Sequence, residues 1–263
     1  MNVLPRKLAV SAREQEGVVW IAGVGAQAGL GAALARAYAL RGLTVALTGR
    51  TPERVEAVAA SIRQAGRRAQ AIAGDVSVES EAAGIAAQVT ELGALRSAVF
   101  NAGNAVRGGV LDLTAAQFEQ TWRGGTLAGF LFAREALRLL LANGVDPQSP
   151  RGVGSLIFTG ATASLRGGAK FAAFASSKAA LRSLAQSLAR DFGPQGIHVA
   201  HVVIDGGIDG ERLRSAAPQR VAEAGIDGLL DPDEIAETYW QLHAQHRSAW
   251  TLELDLRPFN ERF

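Results

Sequence analysis

The chain has 263 residues, 48% of them hydrophobic and 20% charged, which is enough apolar content for one large α/β domain or two small ones. A formal net charge of +2, with no basic run longer than Arg67-Arg68, argues against a nucleic-acid surface. No cysteine is present, so disulfides, thiolate chemistry and cysteine-held metals are excluded. In chain order, the opening "MNVLPRKLAVSAREQEG" has no apolar stretch of signal-peptide length and reads as an N-terminal extension over residues 1–16. Val18 to Ala22 is a buried-strand pattern, followed by a glycine-rich turn and a helix from Gly29 to Arg41. Leu43–Thr48 predicts a second strand, Glu53–Gln64 a helix, Ala69–Ala73 a third strand, Glu79–Leu92 a helix and Leu95–Phe100 a fourth strand. One long helical region spans Ala115–Ala142, and "NGVDPQSPRG" (Asn143–Gly152) breaks it as a loop. Ser155–Thr159 predicts a fifth strand, Ala172–Phe192 a helix stopped by Gly193-Pro194, and Ile197–Ile204 a sixth strand. Two polar helices and a last strand over Thr251–Leu256 complete the pattern.

Strands alternating with helices predict an α/β fold, a Rossmann-like doubly wound parallel sheet of about seven strands with helices on both faces. No linker or repeat divides the chain, so one domain over residues 1–263 is expected. No apolar run reaches membrane-spanning length, and a cytoplasmic protein without membrane partners is expected.

The turn "GVGAQAGLG" (Gly23–Gly31) places Gly25, Gly29 and Gly31 in the spacing G-x-x-x-G-x-G between a strand and a helix. Such a turn lets backbone approach a pyrophosphate and aims the helix's free N–H groups at it. The alternative is that the glycines are purely structural. The second strand ends "LTGR", with Gly49-Arg50 where an NAD-selective site would carry an acidic residue. Arg50 can pair with a 2′-phosphate and stack on adenine, so NADP(H) is favoured over NAD(H); the alternative is a solvated arginine at a helix start.

These features resemble the short-chain dehydrogenase/reductase family from about Val18 to Ile208. The turn is similar to the family's T-G-x-x-x-G-x-G with Val24 in place of the threonine, Asp75-Val76 sits where the family sets an aspartate against the adenine, and Asn101-Ala102-Gly103 matches its N-A-G. The resemblance implies a dinucleotide held by Gly25, Gln27, Ala28, Gly29, Leu30, Gly31, Arg50, Asp75, Val76, Asn101, Ala102, Gly103, Lys178 and Ile208. It also implies a homodimer or homotetramer, in which the small-residue-rich helix Ala172–Phe192 could pack on its twin, and an unknown small-molecule substrate covered by the loop over residues 209–231.

The family's chemistry uses a tyrosine acid/base, a lysine that lowers its pKa and holds the ribose, a serine on the substrate carbonyl and an asparagine on the long helix. By the same resemblance, only Lys178 of the four remains: Phe174 stands for the tyrosine, Ala161 for the serine and Thr126 for the asparagine. Thr126, Thr162, Ser164 and Lys178 are then the candidate catalytic residues. Lys178 can donate a proton only if burial lowers its pKa; alternatively it only binds ribose, or it is a surface lysine. After the sixth strand, either Ile204-Asp205 or Asp205-Gly206 replaces the family's proline-glycine, and Gly210 falls where the family has a threonine on the pyrophosphate. Asp205 either adds negative charge near the cofactor or bonds its own backbone in a turn. Two functions therefore stand: an NADP(H)-dependent oxidoreductase with a rebuilt active site, or a dinucleotide-binding partner subunit or sensor without turnover.

No metal site is expected. His198 and His201 lie at odd separation on one strand and face opposite ways, while His243 and His246 read as a solvated helix face. "HRSAWTLELDLRPF" reads as the last strand with an aromatic anchor at a subunit contact.

Overall fold

The computed structural model describes residues 17–144 and 149–261. The expected N-terminal extension over residues 1–16 lies outside the described residues, as does the middle of the loop between Asn143 and Gly152. Seven strands are formed: β1 (Val18–Ala22), β2 (Thr44–Gly49), β3 (Ala69–Ala73), β4 (Leu95–Phe100), β5 (Gly154–Thr159), β6 (Ile197–Ile204) and β7 (Glu253–Leu256). They form one sheet in the order β3-β2-β1-β4-β5-β6-β7, parallel at each pairing. The order reverses between β1 and β4, which opens a crevice at the carboxyl ends of those strands. The helices are α1 (Leu30–Leu40), α2 (Pro52–Gln64), α3 (Glu79–Glu91), α4 (Ala115–Trp122), α5 (Ala128–Ala142), α6 (Ala172–Phe192), α7 (Glu211–Ala216), α8 (Pro218–Ala224) and α9 (Pro232–His243).

Successive strand residues point to opposite faces, and the core divides accordingly. Val19 and Ile21 of β1 join α1, α2 and α9 on one face. Val18, Trp20 and Ala22 join α3, α5 and α6 on the other. On that second face Trp20 lies 4.4 Å from Phe132, and Phe100 lies 5.6 Å from Phe132 and 6.2 Å from Phe158, as ring centroids.

Three expectations are corrected. The helical region over Ala115–Ala142 is broken by a π-helical stretch at Arg123–Leu127, where Gly124-Gly125 loosens the ladder and a Cβ at Gly125 would lie 2.2 Å from Ser177 Oγ. Three helices follow β6 instead of two. The last of them, α9, is not polar, since it buries Ile235, Ala236, Tyr239 and Leu242 and lies against α1. His243 is also not on a solvated face: its ring packs against Tyr38 and Trp240, and its Nδ1 lies 2.9 Å from Ser155 Oγ. Among the described residues no group of three or more His, Cys, Asp or Glu side chains is placed to hold a metal ion, and no helix is long and apolar enough to cross a membrane.

Candidate active site

The turn after β1 is shaped by close backbone approach. Gly23 has φ +92°, and a Cβ there would lie 2.5 Å from the carbonyl carbon of Asn101, so glycine alone fits without strain. A Cβ at Gly31 would come within 2.8 Å of Gly23 O, so α1 can pack tightly on β1. Gly25 differs, because a Cβ there would meet nothing within 4 Å: it faces open space at the crevice. Gly29 caps α1 in an extended conformation without a side-chain cap. The N–H groups of Leu30 and Gly31 have no acceptor among the described residues, as expected of a first helical turn. Gln27 turns its side chain away from this crevice, donating from Nε2 to Ala57 O at 2.9 Å. Ala28 O lies under the start of α7, where a Cβ at Gly210 would be 2.8 Å from it.

The other predicted cofactor residues line the same strand ends. Arg50 is exposed just after β2, with no carboxylate partner among the described residues. Asp75 accepts from Ser77 N at 2.9 Å, its own N–H donates to Glu81 Oε2 at 2.8 Å, and Val76 is buried beside it. Asn101 donates from Nδ2 to Gly23 O at 3.3 Å, which fastens the exit of β4 to the first turn. Beyond Ala102, a Cβ at Gly103 would lie 3.3 Å from Lys178 Nζ. Ile208 bridges to Leu230 beyond β6.

Lys178 is the centre of this arrangement. It is 6% exposed, and its ammonium donates to Thr159 O, at the end of β5, over 2.7 Å. Burial pulls its pKa down to about 8, and the charge of Arg212 adds to the effect. Phe174, one helical turn earlier on α6, places its ring centroid 5.9 Å from Nζ.

The three candidate hydroxyls are engaged elsewhere. Thr126, in the π-helical stretch, donates to Ser177 O at 3.0 Å and lies 3.1 Å from Ser177 Oγ. Ser164 Oγ accepts from Ala161 N at 3.1 Å, closing the short 3-10 turn at Thr162–Ser164. Thr162 donates to Asp205 Oδ1 at 2.6 Å. Asp205 is therefore not a turn aspartate bonding its own backbone. Its buried carboxylate takes the Thr162 hydroxyl and lies 3.5 Å from Arg257 and 4.0 Å from Arg166. Neither tyrosine substitutes. Tyr38 and Tyr239 are fully buried on the α1–α9 face, opposite α6, and burial pushes both phenols well above their ordinary pKa.

Two residues were not singled out for this site from the sequence. Arg212 on α7 reaches Asn104 Oδ1 at 3.4 Å, a contact no local window could indicate. His201, buried in β6, lies 2.9 Å through Nδ1 from Glu253 Oε2. Glu253 is held in turn by Arg182 at 2.6 and 2.7 Å. The anchoring tryptophan near the last strand, Trp250, stacks at 5.0 Å on His198 of the same chain.

A model of the short chain dehydrogenase family matches residues 19–221. The chain belongs to the short-chain dehydrogenase/reductase family. A solved short-chain dehydrogenase from Rhodopseudomonas palustris is 36% identical, covers 93% of this chain and 99% of its own, and superposes with TM-score 0.76. The uncharacterized oxidoreductase YghA of Escherichia coli (strain K12) is 29% identical over 88% of this chain and 78% of its own. An alcohol dehydrogenase from the archaeon Thermococcus sibiricus, complexed with 5-hydroxy-NADP, shares the fold at TM-score 0.77 and 23% identity, over 94% of this chain and 99% of its own. The short-chain dehydrogenase/reductase fold is one that binds a nicotinamide dinucleotide.

Proposed function

We propose that this short-chain dehydrogenase/reductase is an NADP(H)-dependent oxidoreductase with an atypical active site, in which Lys178 supplies the proton that a tyrosine ordinarily gives. The observation that carries the reading is the buried Lys178 ammonium, fixed by Thr159 O at 2.7 Å beside a phenylalanine ring.

The residues fit a dinucleotide. The free N–H groups at the start of α1 and the open side of Gly25 suit a pyrophosphate. Arg50, exposed and without a carboxylate partner among the described residues, suits a 2′-phosphate. Asp75 has a carboxylate oxygen left over for an adenine amino group, and Asn101, Ala102, Gly103 and Ile208 bound the path towards Lys178. When bound, the nicotinamide supplies a hydride.

Lys178 does the rest of the proton chemistry. At neutral pH it is mainly an ammonium, acidic enough through burial to give a proton to a substrate oxygen and to regain one from water. Phe174 keeps the local volume of a tyrosine and contributes no proton. Thr126, Thr162 and Ser164 act as positioning groups, since each hydroxyl already has a partner. The exposed Phe118, Trp122 and Phe130 support self-association as a homodimer or homotetramer.

The test is NADPH consumption against a panel of carbonyls and enones, run beside a binding titration. Turnover abolished by Lys178→Met supports the proposal. NADPH binding with no turnover on any panel member contradicts it and favours a cofactor-binding subunit or sensor.

A further inference from the structure

The mouth of the site carries cations that the fold leaves unpaired. Arg107 lies in the loop after β4, with its guanidinium carbon 5.6 Å from the Phe171 ring centroid. Phe171 and Phe174 lie 6.5 Å apart at 58°, and Lys178 sits 5.9 Å from the Phe174 ring. Arg212 closes the ring of residues through Asn104, which follows directly on Gly103 at Lys178. Among the described residues, no carboxylate lies within ion-pair distance of Arg107, Arg212 or Lys178. Nearby arginines are partnered: Arg54 with Glu211 at 3.3 Å and Arg214 with Asp209 at 2.7 Å. The charge of Arg212 bears on Lys178 with no carboxylate paired to either among the described residues, so an anion between them would be attracted by both. Two cations against two phenylalanine rings, with Arg212 joined to them through Asn104, form a recognition surface for a molecule that is flat and apolar at one end and negative at the other.

We infer that the substrate is a carboxylate-bearing carbonyl compound with a flat apolar body, seated against Phe171 and Phe174 with its carboxylate toward Arg107 and Arg212. The inference rests on the oxidoreductase reading above and specifies its substrate class. The carboxylate is a handle and is unchanged by the reaction.

The test uses an unreactive pair that differs in charge. Calorimetry compares 4-phenylbutanoate with 4-phenylbutanamide on the protein with and without NADPH. The acid is expected to bind at least about tenfold more tightly than the amide, with the preference shrinking as salt rises. Arg107→Gln and Arg212→Gln are expected to remove the preference while NADPH affinity stays within about twofold of the parent, where a tenfold loss would be about 1.4 kcal/mol. Arg190→Gln, remote on α6, is expected to keep the preference. Equal binding of acid and amide overturns the inference. So does a loss of NADPH affinity in the arginine variants with the acid preference intact, because those cations would then serve the dinucleotide. Failure to bind NADPH at all sinks the oxidoreductase reading separately, and the acid–amide comparison on the cofactor-free protein still decides whether the anion site exists.

Discussion

The Lys178 ammonium sits 5.9 Å from the centre of the Phe174 ring and 2.7 Å from the carbonyl oxygen of Thr159. A buried cation beside an aromatic ring and one carbonyl keeps little of its hydration, which is why its pKa falls to about 8. The proposed chemistry follows from this pairing.

A phenol at Phe174 would be held near the same ammonium. Phe174→Tyr combined with Ala161→Ser is expected to raise carbonyl reduction by NADPH roughly 10²-fold or more over the parent, the scale of a positioned general acid. A steady-state assay on one carbonyl substrate checks this. An unchanged rate with unchanged cofactor affinity would mean that Phe174 does not stand at the acid's position.

The low pKa of Lys178 gives two pH signatures. If its ammonium is the donor, kcat/KM for reduction is level below about pH 8 and falls about tenfold per unit above it. Stability moves the other way. Between about pH 8 and the ordinary lysine value of 10.5, the unfolded chain holds a proton that the folded chain has released, so stability rises with pH there, by on the order of 3 kcal/mol. Urea unfolding of the parent and Lys178→Met across this range separates the lysine's share from the background.

Acid should loosen the fold through its buried histidines. Burial lowers the pKa of His201 to about 4 and that of His243 to about 3, and the charge of Arg151 adds to the lowering at His243. As pH drops below about 6.5, the unfolded chain takes up protons that these rings refuse, and stability is lost until their folded pKa values are passed. His201 alone contributes on the order of 3 kcal/mol to this acid limb. His201→Gln is expected to flatten that limb in a urea-midpoint series from pH 7 to 4, and an unchanged slope would show that His201 is protonated in the folded state.

Gly25 in the first turn and Gly49 at the end of β2 should separate binding from folding. Gly25→Ala adds a methyl to open space, so Tm is expected to stay within about 2 °C while NADPH affinity falls several-fold. At Gly49 a Cβ would lie 2.2 Å from Val24 O, so Gly49→Ala is expected to cost about 1–3 kcal/mol. Thermal melts with and without NADPH check both, and equal Tm losses would contradict the distinction.

The parallel sheet was legible because each strand is a short apolar run bounded by glycine or polar residues, and six of seven begin within one residue of the expected position. The seventh starts two residues late, because pairing with β6 begins at Glu253 opposite His201. The π-helical stretch at Arg123–Leu127 was not legible, since Ser177, which leaves no room for a Cβ at Gly125, lies 52 residues further along the chain. The apolar face of α9 was visible in the spacing of Ile235, Tyr239 and Leu242, and was masked by the acidic residues of its first turn. Asp205 resisted a local reading because Thr162, Arg166 and Arg257 reach it from other parts of the chain. The same holds for Arg212, whose nearness to Lys178 exists only once α7 is folded over the strand ends.

Titration of the purified protein with NADPH and NADH, followed by nucleotide fluorescence, tests the central claim most directly. The account predicts saturable NADPH binding, at least about tenfold tighter than NADH, with Arg50→Asp erasing the difference. No saturable binding of either nucleotide at millimolar concentration would contradict it.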